Sequence, residues 1–182
     1  MLSMVYKFLS SSAYLFCVCF VATSTLKAQT NIFFPESHFG TWFGKLELYT
    51  SRNLEDTLSI TFSLADIGKK DTFSYQLCYH TKEGNDLRDY HLIRVTPTQF
   101  VIDELNGILL SATLFNKKWC SSFRMDQTDI HFHFQLEDSF IVMEVFSNSN
   151  EPVSTSGGIN GVPIVHSLRN YVYQRAVLYP VK

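Results

Sequence analysis

Ile130-His131-Phe132-His133-Phe134-Gln135-Leu136 alternates apolar and polar residues without a break. A period of two accounts for it. Successive side chains of a strand point to opposite faces, so Ile130, Phe132, Phe134 and Leu136 share an apolar face and the histidines share the other. The pattern continues on both sides. Glu137-Asp138 turns the chain into Phe140 to Phe146, and Lys118 to Asp126 connects through Asn116-Lys117 to Ile108 to Phe115. Before that stands Asn106-Gly107, flanked by apolar runs, a strong signal for a two-residue type I′ hairpin turn. Further out, Trp42, Gly44, Leu46 and Leu48 alternate with polar residues, as do Leu58 to Leu64 and Phe73 to Tyr79, and Tyr171 to Tyr179 closes the chain. About ten strands follow, starting near residues 39, 57, 71, 89, 98, 108, 118, 129, 139 and 170. No crossover helix fits between them. The expected fold is all-β, an antiparallel up-and-down meander of about ten strands closed into a barrel, because closure removes the edges that aromatic-rich strands would expose.

Composition narrows the function. The 182 residues are 46% hydrophobic, 15% aromatic and only 18% charged, which excludes a disordered chain. A net charge of −2 gives no basic surface for phosphates, so no nucleic-acid partner is expected. Residues 1–28 read as a signal peptide. Lys7 precedes an uncharged apolar run, Phe8 to Ala22, too short for a comfortable membrane span, and a small residue, Ala28, is available for cleavage. Leu26 at the −3 position of that site is bulky, and cleavage after Ser24, with Ala22 at −3, fits the small-residue rule better. Its removal leaves 154 residues and a net charge of −4, with no other span of membrane length. The expected organisation is a signal peptide at 1–28, a tail at 29–38 and one barrel domain at 39–182, exported to a periplasmic or extracellular location.

Cleavage would leave two cysteines, Cys78 and Cys120. Export permits a disulfide between them, and two buried free thiols are the alternative. One stretch interrupts the strand rhythm. Ser147 to Ser167 is rich in Asn, Ser, Gly and Pro and reads as a long polar loop, either a lid over a barrel mouth or a plain excursion with a helical turn near Val165–Asn170.

Two motifs carry a family resemblance. Gly40-Thr41-Trp42-Phe43-Gly44 opens the first strand and Tyr173-Gln174-Arg175 lies in the last. This resembles the calycin superfamily: lipocalins through Gly-x-Trp and a late arginine that packs on the tryptophan, nitrobindin-like haem barrels through Gly-x-Trp-x-Gly, and fatty-acid-binding barrels through the strand number. The middle of the chain is similar to uncharacterised secreted bacterial lipocalin-like proteins. The resemblance implies a ligand-binding barrel whose Trp42 plugs the floor under a guanidinium, with Gly40 and Gly44 allowing the bend and close approach of closure.

The candidate ligand-binding residues are Trp42, Phe62, Tyr75, Phe123, Phe134, Tyr173 and Arg175. The aromatic rings would fill a barrel or line a cavity for an apolar or flat ligand. Tyr173 and Arg175 share one face. Turned inward they would meet a ligand carboxylate, as in fatty-acid-binding barrels; alternatively Arg175 clamps Trp42. Arg94 and Arg124 are further candidates. His131 and His133 lie about 7 Å apart on one strand face, a spacing that suits a metal given a third ligand. The polar face of the strand is the simpler place for them, and no metal site is expected. No nucleophile motif, phosphate loop or zinc motif occurs, so the chain is not expected to be an enzyme. The leading expectation is a secreted barrel binding a small apolar or amphipathic ligand without a cofactor. A filled envelope barrel acting through its surface, and a haem barrel using His80, His131, His133 or His166, are the alternatives.

Overall fold

The computed structural model describes residues 33–182, so the expected signal peptide and the start of the expected tail lie outside the described residues. Ten strands follow one another: β1 (Gly40–Thr50), β2 (Leu54–Lys69), β3 (Thr72–Thr81), β4 (Gly84–Arg94), β5 (Gln99–Asp103), β6 (Leu109–Phe115), β7 (Lys118–Met125), β8 (Thr128–Leu136), β9 (Ile141–Ser156) and β10 (Val165–Pro180). Each pairs antiparallel with the next, and β10 returns to β1, closing an up-and-down barrel. No helix among the described residues is long and apolar enough to cross a membrane.

The period-two faces decide what points inward. Trp42 stands opposite Phe62, Leu46 stands between Leu58 and Ala176, and Phe134 stands between Trp119 and Met143. All of these face the interior. One set of turns, with the start of β1 and the end of β10, forms the base. The hairpins β1–β2, β3–β4, β5–β6, β7–β8 and β9–β10 form the opposite end, the mouth. Closure demands close approach at Gly44: a Cβ there would come within 2.1 Å of the Val177 carbonyl oxygen on β10.

The base is sealed by residues expected to be a tail. Phe34 is buried, and a 3-10 turn, Glu36–His38, brings His38 beneath Trp42, where the two rings stack at 5.6 Å. The Trp42 indole Nε1–H donates to the His38 carbonyl at 3.0 Å. Trp42 is therefore a buried floor residue, but its cover is an imidazole. The guanidinium clamp exists elsewhere. Arg94 lies 4.9 Å over the Phe73 ring, donates to the Phe34 carbonyl at 3.3 Å and pairs with Glu36, tying the plug to β3 and β4.

Two local expectations change. Asn106-Gly107 sits in the β5–β6 hairpin, but the connection is wider than a two-residue turn. Glu104 N–H bonds to the Ile108 carbonyl at 3.0 Å, and the positive φ angles fall on Leu105 and Gly107. Ser147 to Ser167 is not a loop. β9 runs to Ser156 and β10 begins at Val165, so most of the segment is a two-stranded arm extending the β9–β10 hairpin beyond the mouth. The loop-forming residues concentrate at its tip, where Gly157, Gly158, Asn160 and Gly161 adopt positive φ. Val153, Val165 and Leu168 supply strand-forming residues behind it.

Candidate functional site

The interior divides into two levels. Near the base the aromatic side chains meet across the barrel. Phe62 of β2 contacts Phe134 of β8 at 5.3 Å between ring centroids, and Tyr75 of β3 meets Trp119 of β7 edge-on at 5.5 Å. Phe34 reaches Trp119 from below at 5.2 Å. Strands on opposite sides of a barrel touch through side chains only where the space between them is filled, so this level is a packed core. Trp119 is completely buried, yet its Nε1–H has no hydrogen-bond partner among the described residues. Trp119 was not among the expected site residues, although it shares the inward face of β7 with Ser121 and Phe123 and alternates with Cys120 and Ser122.

Towards the mouth the inward residues are no longer sealed. Leu58, Tyr79, Tyr90, Leu110, Phe123 and Phe132 face the interior but are only partly buried, so solvent enters the upper barrel. The polar groups of this level cluster on β3 and β4. Arg88 stands opposite Leu77, whose side chain is in the core, so Arg88 points inward. Its guanidinium lies 5.9 Å from the centre of the Tyr79 ring and is forked to Asp86, with Nε at 3.1 Å and Nη2 at 2.9 Å. Burial raises the Tyr75 hydroxyl well above its ordinary pKa and raises those of Tyr79 and Tyr90, while Arg88 pulls the latter two back. Glu104, just past the mouth end of β5, adds negative potential to Tyr75 and Tyr90. The upper interior therefore holds a cation already paired with a carboxylate, a second carboxylate and two neutral phenols, Tyr79 and Tyr90, above the buried Tyr75.

The candidate residues separate accordingly. Trp42, Phe62, Tyr75 and Phe134 lie in the packed lower level, and Phe123 lies in the open upper one. Tyr173 and Arg175 do not reach the interior. On β10 the inward residues are Ala176 and Leu178, both buried, and the odd-numbered neighbours face outward. Arg175 lies beside Glu47 and Glu144 on the outer wall, in a groove of about 610 Å³ that Phe43, Val177 and Tyr179 also line. Tyr173 stacks on Phe146 at 4.8 Å and donates to Glu144 at 2.5 Å. Burial and that carboxylate raise the Tyr173 hydroxyl to about 12, and the same bond, with His133 at 2.7 Å, lowers Glu144. The expected inward Arg-Tyr anchor is thus an outer-wall cluster. The arginine on the inward face near the mouth is Arg88, whose signal was the alternation of Asp86, Arg88, Tyr90 and Leu92.

The remaining candidates also face out. His131 bonds to Ser122 at 2.8 Å, His80 bonds to Thr61 at 2.7 Å, and His166 sits on the arm against Thr155 at 2.9 Å. None of these lines the interior, and no cluster of three or more metal-binding side chains occurs among the described residues. Arg124 is paired with Asp129 at 2.5 Å. Cys78 and Cys120 are free thiols on the outward faces of β3 and β7, strands that are not neighbours in the barrel, so the disulfide alternative is not realised. Cys78 Sγ lies 3.9 Å from His80 Nδ1.

No family model and no curated protein matches the sequence. Solved structures do match the fold. The S-type phycobiliprotein lyase CPES from Guillardia theta aligns with a TM-score of 0.56 at 4% identity, over 81% of this chain and 90% of that one. Rv2717c from M. tuberculosis aligns with a TM-score of 0.49 at 12% identity, over 80% and 94%. The first of them corrects one expectation. A lyase is built on this architecture, so the lack of a familiar motif gives no ground for holding that the chain is not an enzyme. What the chain shares with the first of these proteins is its fold.

Proposed function

We propose that the protein is an exported barrel that takes a small amphipathic ligand into the upper half of its interior. The observation that carries this reading is the change of state along the barrel axis. The inward side chains are sealed at the base and reached by solvent at the mouth, where apolar surface and oriented polar groups occur together. A ligand there would cover Leu58, Leu110, Phe123 and Phe132, each Å² of apolar surface removed from water contributing about 25 cal/mol. Its polar end would meet Tyr79, Tyr90 and Arg88. Because Asp86 already occupies the Arg88 fork and Glu104 adds a further negative charge, an uncharged hydroxyl or amide suits this end better than a carboxylate.

The reading is tested with N-phenyl-1-naphthylamine, an uncharged apolar fluorophore, and by native mass spectrometry of the chain purified from its own host. Saturable one-to-one binding is expected. Phe123→Asp should weaken it at least tenfold, while Phe43→Ala in the outer groove should leave it unchanged. No saturable binding together with a ligand-free native protein would refute the proposal.

A further inference from the structure

The arm of β9 and β10 has no role in the proposed ligand site, and its composition is unlike the rest of the surface. β9 last pairs with β8 at Ser149, and on β10 Tyr171 still bonds to Thr128 of β8 while Asn170 pairs with Asn148, so residues 151–169 stand clear of the barrel wall. At about 3.3 Å per residue, the stretch 151–156 carries the turn roughly 20 Å beyond it. From Pro152 to Leu168 there is no Asp, Glu, Lys or Arg. The turn is crowned by Ile159, Val162 and Ile164, with Ile159 71% and Ile164 64% exposed. Behind it, Val153 and Val165 are both exposed and lie on opposite faces of the ribbon.

We infer that the tip of this arm inserts into the interfacial layer of a lipid bilayer. A flat protein partner covers one face of a ribbon, whereas these apolar side chains surround it, and a bilayer surrounds what enters it. Backbone that enters lipid must be hydrogen-bonded internally. Here Gly158 N–H bonds to the Val162 carbonyl at 2.9 Å and Val162 N–H to the Ile159 carbonyl at 3.1 Å. Edge pairing with a second copy is opposed by Pro152 and by register shifts at Ser167, Leu168 and Asn170. The charges that resume at the root of the arm, Glu151 and Arg169, cancel, which matches a zwitterionic surface. Other exposed apolar residues, Leu105, Ile108 and Met125, belong to neighbouring hairpins of the same end. Insertion would therefore hold the mouth against the lipid. That the mouth then exchanges ligand with the membrane rests on the function proposed above; the insertion does not.

The test is co-sedimentation of residues 29–182 with phosphatidylcholine vesicles. Binding is expected, and Ile159→Asp and Ile164→Asp should each reduce partitioning by roughly tenfold or more. Ile67→Asp, at the base, should not. The naphthylamine affinity of the Ile159→Asp variant should equal that of the parent, which separates failure of the arm from failure of the ligand site. Absence of sedimentation overturns the inference, as does binding that Ile159→Asp leaves intact. So does binding confined to anionic vesicles and abolished by salt. A dimer in solution that Ile159→Asp dissociates, without vesicle binding, would assign the tip to a second copy of the chain instead.

Discussion

The lower and upper halves of the barrel interior are built from the same kinds of residue and end in opposite states. Below, Phe62, Tyr75, Trp119 and Phe134 touch across the axis under a plug made by Phe34 and His38. Above, Tyr79, Tyr90, Phe123 and Phe132 project into the same lumen and stay only partly buried. Aromatic content therefore does not decide whether a barrel is filled. The lid at one end does. The base receives an N-terminal segment that supplies a ring and a backbone carbonyl, whereas the mouth is framed by hairpins, and its inward side chains stay only partly buried.

The largest expected effect follows from this contrast. Trp119→Ala should reduce stability by about 3–5 kcal/mol, as a large core truncation does, while Phe123→Ala should cost about 1 kcal/mol or less and act on ligand affinity. Chemical denaturation of both variants measures the difference, and equal losses would erase the distinction between the levels. Next comes the clamp. Arg94→Gln should loosen the plug at a cost of about 1–3 kcal/mol, since it removes a charged hydrogen bond and a cation–π contact at a half-buried site. Enhanced proteolysis near Phe34 would report it. Smaller still is a pH effect. Burial lowers the pKa of His38. As pH falls below about 6.5, the unfolded chain takes up a proton before the folded one does, and stability declines. His38→Gln should flatten the stability profile between about pH 7 and 5 relative to the parent. The smallest effect is expected outside. Arg175→Ala and Tyr173→Phe should leave ligand binding unchanged, because both side chains lie on the outer wall; a tenfold loss in either would put the site in the wrong place.

Strand alternation carried most of the fold. The period of two in Ile130–Leu136 and in Leu58–Leu64 fixed which side chains point inward, and the short connections left little choice of topology. It fell short where the face of a strand had to be chosen. Tyr173, Arg175 and Tyr179 share a face with Val177, and their opposite face offers Gln174, Ala176 and Leu178, so neither side is plainly apolar. Pairing with Leu46 and Gly44 settles it, and that pairing is long-range. The arm escaped notice for a different reason. Serine and asparagine are poor strand formers, but a cross-strand ladder overrides a weak local preference. Arg88 escaped because the strand was expected to start near residue 89, whereas β4 begins at Gly84 through a stretch in which Asp86 and Asp89 obscure the alternation.

The pairing of β1 with β10 has a kinetic consequence. Trp42 lies opposite Pro180, so the first and last strands of the domain meet only when almost the whole chain is available. Every other ladder joins sequence neighbours and can form locally. Barrel closure is then the slow, late step of folding, governed by a loop as long as the domain itself. Until it occurs, β1 and β10 both present open edges. A chain synthesised or translocated from its N-terminus would stay unclosed until its last residues emerged.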